Sequence, residues 1–210
     1  MNTIIPIFPL PLVVFPNSKY PLHIFEPKYK KLIYNSLVNN SGFGIVTTFA
    51  GDIHPIGCFV TIETPKSYTS IKDIKEFDIV VVGQVRFKIL SKWEHNDGYY
   101  LAEISTYDDE RFNFDSEYFQ QLQDKFSNLV KRIDYKLEDS FWNNLLIAKE
   151  KSFKLAEKSG LTLEQQLKFI SLQDETERLM FLFHHIDKIE KYLDEKATVI
   201  KLVLNDGYLN

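Results

Sequence analysis

The start of the chain carries the strongest signal for the fold: it reads PIFPLPLVVFP over residues 6–16 and YPLHIFEP over residues 20–27. Proline lacks a backbone N–H and fixes φ, so a helix cannot run through this segment. The residue before each proline is also restricted to extended conformations. We therefore predict short, extended, largely buried pieces joined by sharp turns. The side chains that we expect to be buried here are Phe8, Leu12, Val14 and Phe25.

Composition places the chain among globular proteins, with 44% hydrophobic and 26% charged residues. With one cysteine, Cys58, it can form neither an internal disulfide nor a cysteine-based zinc site. The apolar start lacks a basic region, so it is not typical of a secretory signal. No apolar run approaches the roughly 18 residues that suggest a membrane span. These features predict a cytoplasmic protein that does not enter a membrane.

The two halves of the chain differ in their content of turn-forming residues. All eight prolines lie within the first 65 residues, so turns crowd the first half and long elements fill the second. Residues 1–108 carry ten Lys/Arg and ten Asp/Glu, whereas residues 109–210 carry fifteen and nineteen, which gives the whole net charge of −4. We predict two subdomains with the boundary at residue 108.

The first half reads as a set of short strands with one helix. Proline at the first helical position and an acidic residue before it predict a helix that begins at Glu26-Pro27, and residues 39–42 end it. Period-two patterns and turn residues predict strands over residues 4–8, 12–15, 43–49, 56–63, 68–74, 77–82, 85–93 and 99–107. This content predicts a partly closed, mostly antiparallel β-barrel.

The second half reads as helices. Apolar residues at spacings of three and four predict a helix over 116–134 with Asp115 as its N-cap, and a second over 140–159. Thr162 to Gln165 forms a capping box for a third helix, and a fourth begins after Asp174. Residues 198–204 suit a helix or a strand, and we favour the helix. The prediction for residues 109–210 is a helical bundle, and the fold class is α+β.

Several landmarks bear on the family of the chain. They are Pro6–Leu10, Val14–Pro16, Pro21–Glu26, Gly57–Val60, Val82–Ile89 and Leu163–Leu182, the last of which contains Arg178-Leu179. Their order and spacing resemble the N-terminal domain of Lon proteases. The resemblance implies a PUA-like β-barrel followed by a helical bundle. It also implies a role in substrate recognition and support of assembly, as in the parent enzyme.

The catalytic modules of Lon enzymes have no counterpart in this sequence. A Gly-x-x-x-x-Gly-Lys-Ser/Thr loop, which would cradle phosphates, is missing. The chain therefore resembles a stand-alone form of the domain. We expect a non-enzymatic module without cofactor, which binds unfolded or apolar polypeptide segments and works with a partner such as a protease or chaperone.

Aromatic side chains in loops are the candidates for peptide contact. The chain has 17 Phe and 11 Tyr, more than its core obviously requires. Phe49 precedes a turn at Ala50-Gly51-Asp52, and Tyr68 follows Thr64-Pro65-Lys66. The sequence offers these two residues as a peptide-binding pair.

The other chemically capable residues favour structural roles. His184 and His185 are adjacent on a helix and point about 100° apart, which suits no shared metal ion. We expect Glu26 to cap its helix and His23 to pack in the fold. Arg86 lies among apolar residues and needs a carboxylate or carbonyl partner, for which Glu26 is one candidate. We predict no catalytic residue and no metal site.

An alternative function is RNA binding or binding of one specific protein partner. PUA-like barrels of other families bind RNA, so the fold leaves this possibility open. Phosphate-led binding requires clustered positive charge, however, and the first half has no net charge. Its one local basic group is Lys28, Lys30 and Lys31. Nucleic acid is therefore the disfavoured partner.

Overall fold

A computed structural model describes residues 3–63, 76–110 and 114–204, with the backbone alone over 198–204. It forms two compact units whose segments interleave along the chain. The first unit combines Met1–Glu110 with Leu161–Gln173, and the second combines Arg111–Gly160 with Asp174–Asn210. The sequence predicted two continuous segments, 1–108 and 109–210. The difference is that residues 161–173 return to the first unit.

The first unit is built on six strands and one helix, α1, which spans Pro27–Val38. The strands are β1 Thr3–Leu10, β2 Lys19–Ile24, β3 Phe43–Phe49, β4 Asp52–Glu63, β5 Phe77–Glu94 and β6 Tyr100–Thr106. They form one sheet of order β2-β5-β4-β3-β1-β6, in which β6 also pairs with β5. The pair β1–β3 is parallel, and the other pairs are antiparallel.

The α+β class and the mostly antiparallel sheet are confirmed. The sheet curves back from β6 to β5, but the β4–β5 ladder ends at Ile56 and Lys88, so the barrel does not close along its whole length. The two strands predicted over 77–82 and 85–93 are one long strand, β5. Residues 12–15 form no strand, although three of them are buried. The strand predicted over 68–74 lies outside the described residues.

The proline-rich start contributes strands β1 and β2 to the sheet, and these are short extended pieces, as expected. Phe8 and Val14 are buried and Leu12 is partly buried, but the prediction for Phe25 was wrong, since that side chain is 57% exposed. Alternation along β2 gives the inward positions to Leu22 and Ile24. The residues between and after them therefore face solvent.

Two apolar clusters fill the first unit. In one, the rings of Phe8 on β1 and Tyr29 on α1 stack with centroids 3.8 Å apart. In the other, Phe87 occupies space that Gly44 and Gly57 leave open, since a Cβ at either glycine would lie 2.6 Å from its ring. A side chain at either position would therefore displace Phe87.

The second unit is helical. Its helices are α2 Ser116–Arg132, α3 Asp139–Ile147, α4 Lys151–Ala156 and α6 Glu175–Leu204. Helix α5, Leu163–Ile170, belongs to the first unit. The predicted helix over 198–204 is confirmed as the end of α6. No described helix is long and apolar enough to cross a membrane.

The caps predicted at Asp115 and Thr162 are present, but one predicted helix is broken. Asp115 accepts two backbone N–H groups of α2, and Thr162 and Gln165 form the capping box of α5. The helix predicted over 140–159 is divided into α3 and α4. The break is stabilised by Lys151, whose Nζ donates to three carbonyls at the end of α3. A lysine in this place satisfies helix-terminal acceptors that lack an internal partner.

The second unit contains a buried ionic network. Arg178 and Glu175 are fully buried and joined at 2.8 Å, one turn apart on α6. Ser152 of α4 donates its backbone N–H and its hydroxyl to the same carboxylate and accepts from Nε of Arg178. The guanidinium also lies 4.5 Å from the centroid of Phe153. The network thus links α4 to α6.

Candidate functional site

Phe49 lies at the tip of the β3–β4 hairpin. It pairs with Asp52 across a two-residue turn, in which Ala50 has φ 52° and Gly51 has φ 92°. Two positive φ values in succession match the tight turn that suits the twist of a hairpin. The Phe49 side chain is 42% exposed, so it is accessible to a partner.

The structure does not describe the second predicted contact residue. Tyr68 lies in segment 64–75, outside the described residues. The chain enters that segment after Glu63, the last residue of β4, whereas Phe49 lies three residues before Asp52, the first residue of β4. Of the predicted pair, Phe49 is the member whose position is known.

A group of apolar residues that the sequence did not single out lies on strands β1, β6 and β5. The ladder pairs Pro6 with Leu101 and Leu101 with Trp93, and residues paired in this way point to the same face of a sheet. Ile4 lies two residues before Pro6 and shares its face. We call Ile4, Pro6, Leu101 and Trp93 the apolar platform. Ile4 is 60% exposed and Trp93 is 40% exposed, while the other two members are partly buried.

Leu90 is a further exposed apolar residue of β5. The β5–β6 register shifts between Ile89 and Ser91, so Leu90 is the extra residue of a β-bulge. Its side chain is 48% exposed. Sequence alternation predicted a strand here but not which of its faces would remain uncovered. That depends on the strands and helices that pack around β5.

An exposed charged cluster lies on β2 and β5. His23 faces Asp78 across the ladder, with Nδ1 at 2.8 Å from the carboxylate, and Nε2 lies 3.3 Å from Glu76. The prediction that His23 packs within the fold was therefore wrong. The hydrogen bond to Asp78, with Glu76 adding to it, raises the pKa of His23 above 6.5. Both ring nitrogens can donate only in the protonated imidazolium form.

This cluster predicts a measurable titration. A raised pKa in the folded state means that the contribution of His23 to stability is fully present below its unfolded pKa and is lost as the pH rises through the folded value. We expect a ¹H–¹⁵N NMR titration to place the pKa of His23 above 6.5 and Asp78→Asn to lower it. His95→Gln, which removes a different histidine, should leave that pKa unchanged. An unchanged pKa in Asp78→Asn would contradict the assignment.

Arg86 connects β5 to the returning segment 161–173. Its guanidinium donates to the carbonyls of Ile170 and Leu172 at 2.7 and 2.6 Å and pairs with Asp109. The side chain is 5% exposed and stacks over Tyr107, whose hydroxyl donates to the carbonyl of Ser171. Arg86 therefore has a structural role, as predicted.

The partner suggested for Arg86 was wrong. Arg86 pairs with Asp109, 23 residues later, rather than with Glu26. Glu26 stands at the N-cap position of α1 but makes no capping hydrogen bond with its side chain, so that prediction was also wrong. Its carboxylate lies 3.6 Å from Nζ of Lys28. Arg86 and Asp109 are 23 residues apart, and a pair so distant along the chain leaves no local signal in the sequence.

The remaining reactive groups are committed to the fold. Burial raises the pKa of the Cys58 thiol to about 12, which keeps it protonated and unreactive. His184 contacts the carbonyl of Met180, and His185 contacts that of Ser159. Within the part of the chain that the structure describes, no cluster of His, Cys, Asp or Glu could hold a metal ion. Besides the apolar platform and the charged cluster of His23, the first unit also exposes Phe25, Val38 and Val85.

The chain is similar to one known protein family and to solved structures. The model of the ATP-dependent protease La (LON) substrate-binding domain matches residues 4–188. The Lon N-terminal domain protein from Xanthomonas campestris is similar, with a TM-score of 0.66 and 22% identity over 87% of this chain and 98% of that one. The N-terminal domain of a Mycobacterium avium complex Lon protease matches with a TM-score of 0.67 and 14% identity over 88% and 98%. At these identities the two structures show the fold. The family match covers most of the chain, which therefore belongs to the family of LON substrate-binding domains.

Proposed function

We propose that this protein binds unfolded polypeptide segments through exposed apolar side chains and catalyses no reaction itself. The observation that carries the proposal is the apolar platform, found on a member of a substrate-binding family. Exposed apolar side chains that lie together are typical of interaction sites. The proposal also holds that the protein is cytoplasmic and works with a protease or chaperone.

The platform suits a ligand that contributes apolar surface. Ile4 and Trp93 are exposed, Pro6 and Leu101 are partly buried, and Leu101 also packs against the cluster that contains Phe8 and Tyr29. Burial of one large apolar side chain contributes about 1.5–3 kcal/mol of binding free energy. The translational and rotational entropy lost on association offsets much of the total. Contacts on this scale support weak, reversible binding, which suits a module that must release its clients.

Phe49 and Tyr68 are proposed as further contact residues. Phe49 has the exposure that this role requires, and it is the last residue of β3 before the turn at Ala50 and Gly51. A rigid aromatic side chain loses little conformational entropy when it is bound. Tyr68 lies outside the described residues, so only the sequence supports its proposed role.

The experiment uses fluorescein-labelled, reduced and carboxymethylated α-lactalbumin, which is a permanently unfolded polypeptide. Its binding is followed by fluorescence anisotropy. We expect Trp93→Ala and Phe49→Ala each to weaken binding by about 1 kcal/mol or more, which is about fivefold in Kd, because central interface aromatics carry much of the binding energy.

Tyr192→Ala is the matched control, since it removes a comparably exposed aromatic side chain from α6. It should leave the affinity unchanged, and circular dichroism should show that all three variants are folded. The proposal fails if the wild type does not bind at high micromolar concentration, or if Tyr192→Ala weakens binding as much as Trp93→Ala.

A further inference from the structure

The last part of β5 has one uncovered edge. The β4–β5 ladder ends where Ile56 pairs with Lys88, whereas the β5–β6 ladder continues to Glu94 and Tyr100. Among the described residues, no strand pairs with 90–94 on the side away from β6. All five of these residues are exposed. A row of backbone groups is thus open to solvent beside the apolar platform.

Local chemistry on β4 explains why its ladder stops. Pro55 has no backbone N–H to donate. Nδ1 of His54 lies 3.2 Å from the backbone nitrogen of Ile56 and 3.1 Å from its oxygen, so the His54 side chain bonds one of these two backbone groups, and its tautomer decides which. The bulge at Leu90 shifts β5 at the same level. The open edge therefore results from His54 and Pro55 on β4 and from Leu90 on β5.

The hydrogen-bond pattern shows which groups face outward. His95 donates its N–H to the carbonyl of Tyr99 at 2.7 Å, which marks a hydrogen-bonded pair of the antiparallel ladder. Such pairs alternate with pairs whose backbone groups point away. Counting back along the ladder, Trp93 is bonded to β6, whereas the N–H and C=O groups of Lys92 and Glu94 point to the open side.

We propose, on the basis of the proposed function, that clients bind here as an added β-strand. An extended segment would exchange backbone hydrogen bonds with Lys92 and Glu94. Its alternate side chains would lie beside Trp93 on the face of the apolar platform. The client class is therefore an extended segment with apolar residues at every second position, and affinity comes from its backbone as well as its side chains.

The test uses a fluorescein-labelled ten-residue peptide of alternating valine and threonine. A second peptide has the same side chains but is N-methylated at alternate residues, which removes the donors of one edge. We expect the protein to bind the first peptide and to bind the second at least about tenfold more weakly, since strand addition needs those donors. Equal affinity for the two peptides, or no binding of the first at millimolar concentration, overturns the proposal.

Lys92→Pro removes one outward N–H from β5 without touching a bond to β6, and proline is tolerated at such edge positions. We expect it to weaken binding of the first peptide about fivefold or more, whereas Lys92→Thr keeps the donor and the affinity. Thermal unfolding checks that both variants are folded. If Lys92→Pro binds as wild type while Trp93→Ala weakens binding, strand addition is refuted and the apolar platform stands. If labelled α-lactalbumin binds the wild type and the Trp93→Ala variant with the same affinity, the apolar platform is refuted as the binding site.

Discussion

Replacing Arg178 with methionine is expected to lower the free energy of unfolding by about 3–5 kcal/mol, because a buried ion pair that loses one partner leaves an uncompensated charge in the core. Glu175 would keep the two hydrogen bonds from Ser152 but lose the guanidinium at 2.8 Å. Urea denaturation followed by circular dichroism measures the change. The loss should appear in the transition of the helical unit.

Two further variants test that explanation. Combining Arg178→Met with Glu175→Gln removes the orphaned charge, so the double variant should lose less than the sum of the single losses. Lys168→Ala breaks the exposed pair between Glu164 and Lys168 and should change stability by about 0.5 kcal/mol or less. A loss below about 1 kcal/mol for Arg178→Met would show that the network contributes little.

Replacing Arg86 with methionine is expected to have a similar effect, about 3–5 kcal/mol, in the first unit. The change leaves the Asp109 carboxylate and the carbonyls of Ile170 and Leu172 without the guanidinium that satisfies them. Urea denaturation gives the global loss. Hydrogen exchange should also become faster in segment 161–173, which Arg86 attaches to β5.

The controls for Arg86 separate charge from geometry. Arg86→Lys keeps the charge but lacks the planar fork that reaches three acceptors, so its loss should be intermediate. Lys88→Met changes an exposed neighbour on the same strand and should stay within about 0.5 kcal/mol of wild type. Unchanged exchange in segment 161–173 in Arg86→Met would mean that other contacts hold this segment in place.

Much of the fold follows from local rules and could be predicted. The caps at Asp115 and Thr162 act on N–H groups two or three residues away, so their signal lies within one turn of helix. The prolines exclude a helix from the start of the chain at each position where they occur. The order of such local features along the chain also indicates the family.

The misread side chains depend on distant partners. Phe25 is apolar, yet the inward positions near it are taken by Leu22 and Ile24. The partners of Arg86 lie 23, 84 and 86 residues away, and such separations leave no periodic trace. The same holds for the open edge of β5, which exists because a neighbouring strand stops pairing at Ile56.

Local sequence patterns are sufficient for the class of fold, the positions of most helices and strands, and the family, because these depend on proline, alternation and capping within a few residues. Three features emerge only in three dimensions: segment 161–173 joins the first unit, Arg86 attaches it there, and Trp93 lies beside an open sheet edge. The physical reason is that exposure and ion pairing are set by what packs against a residue. That neighbour is chosen by chain topology rather than by the residues next to it in sequence.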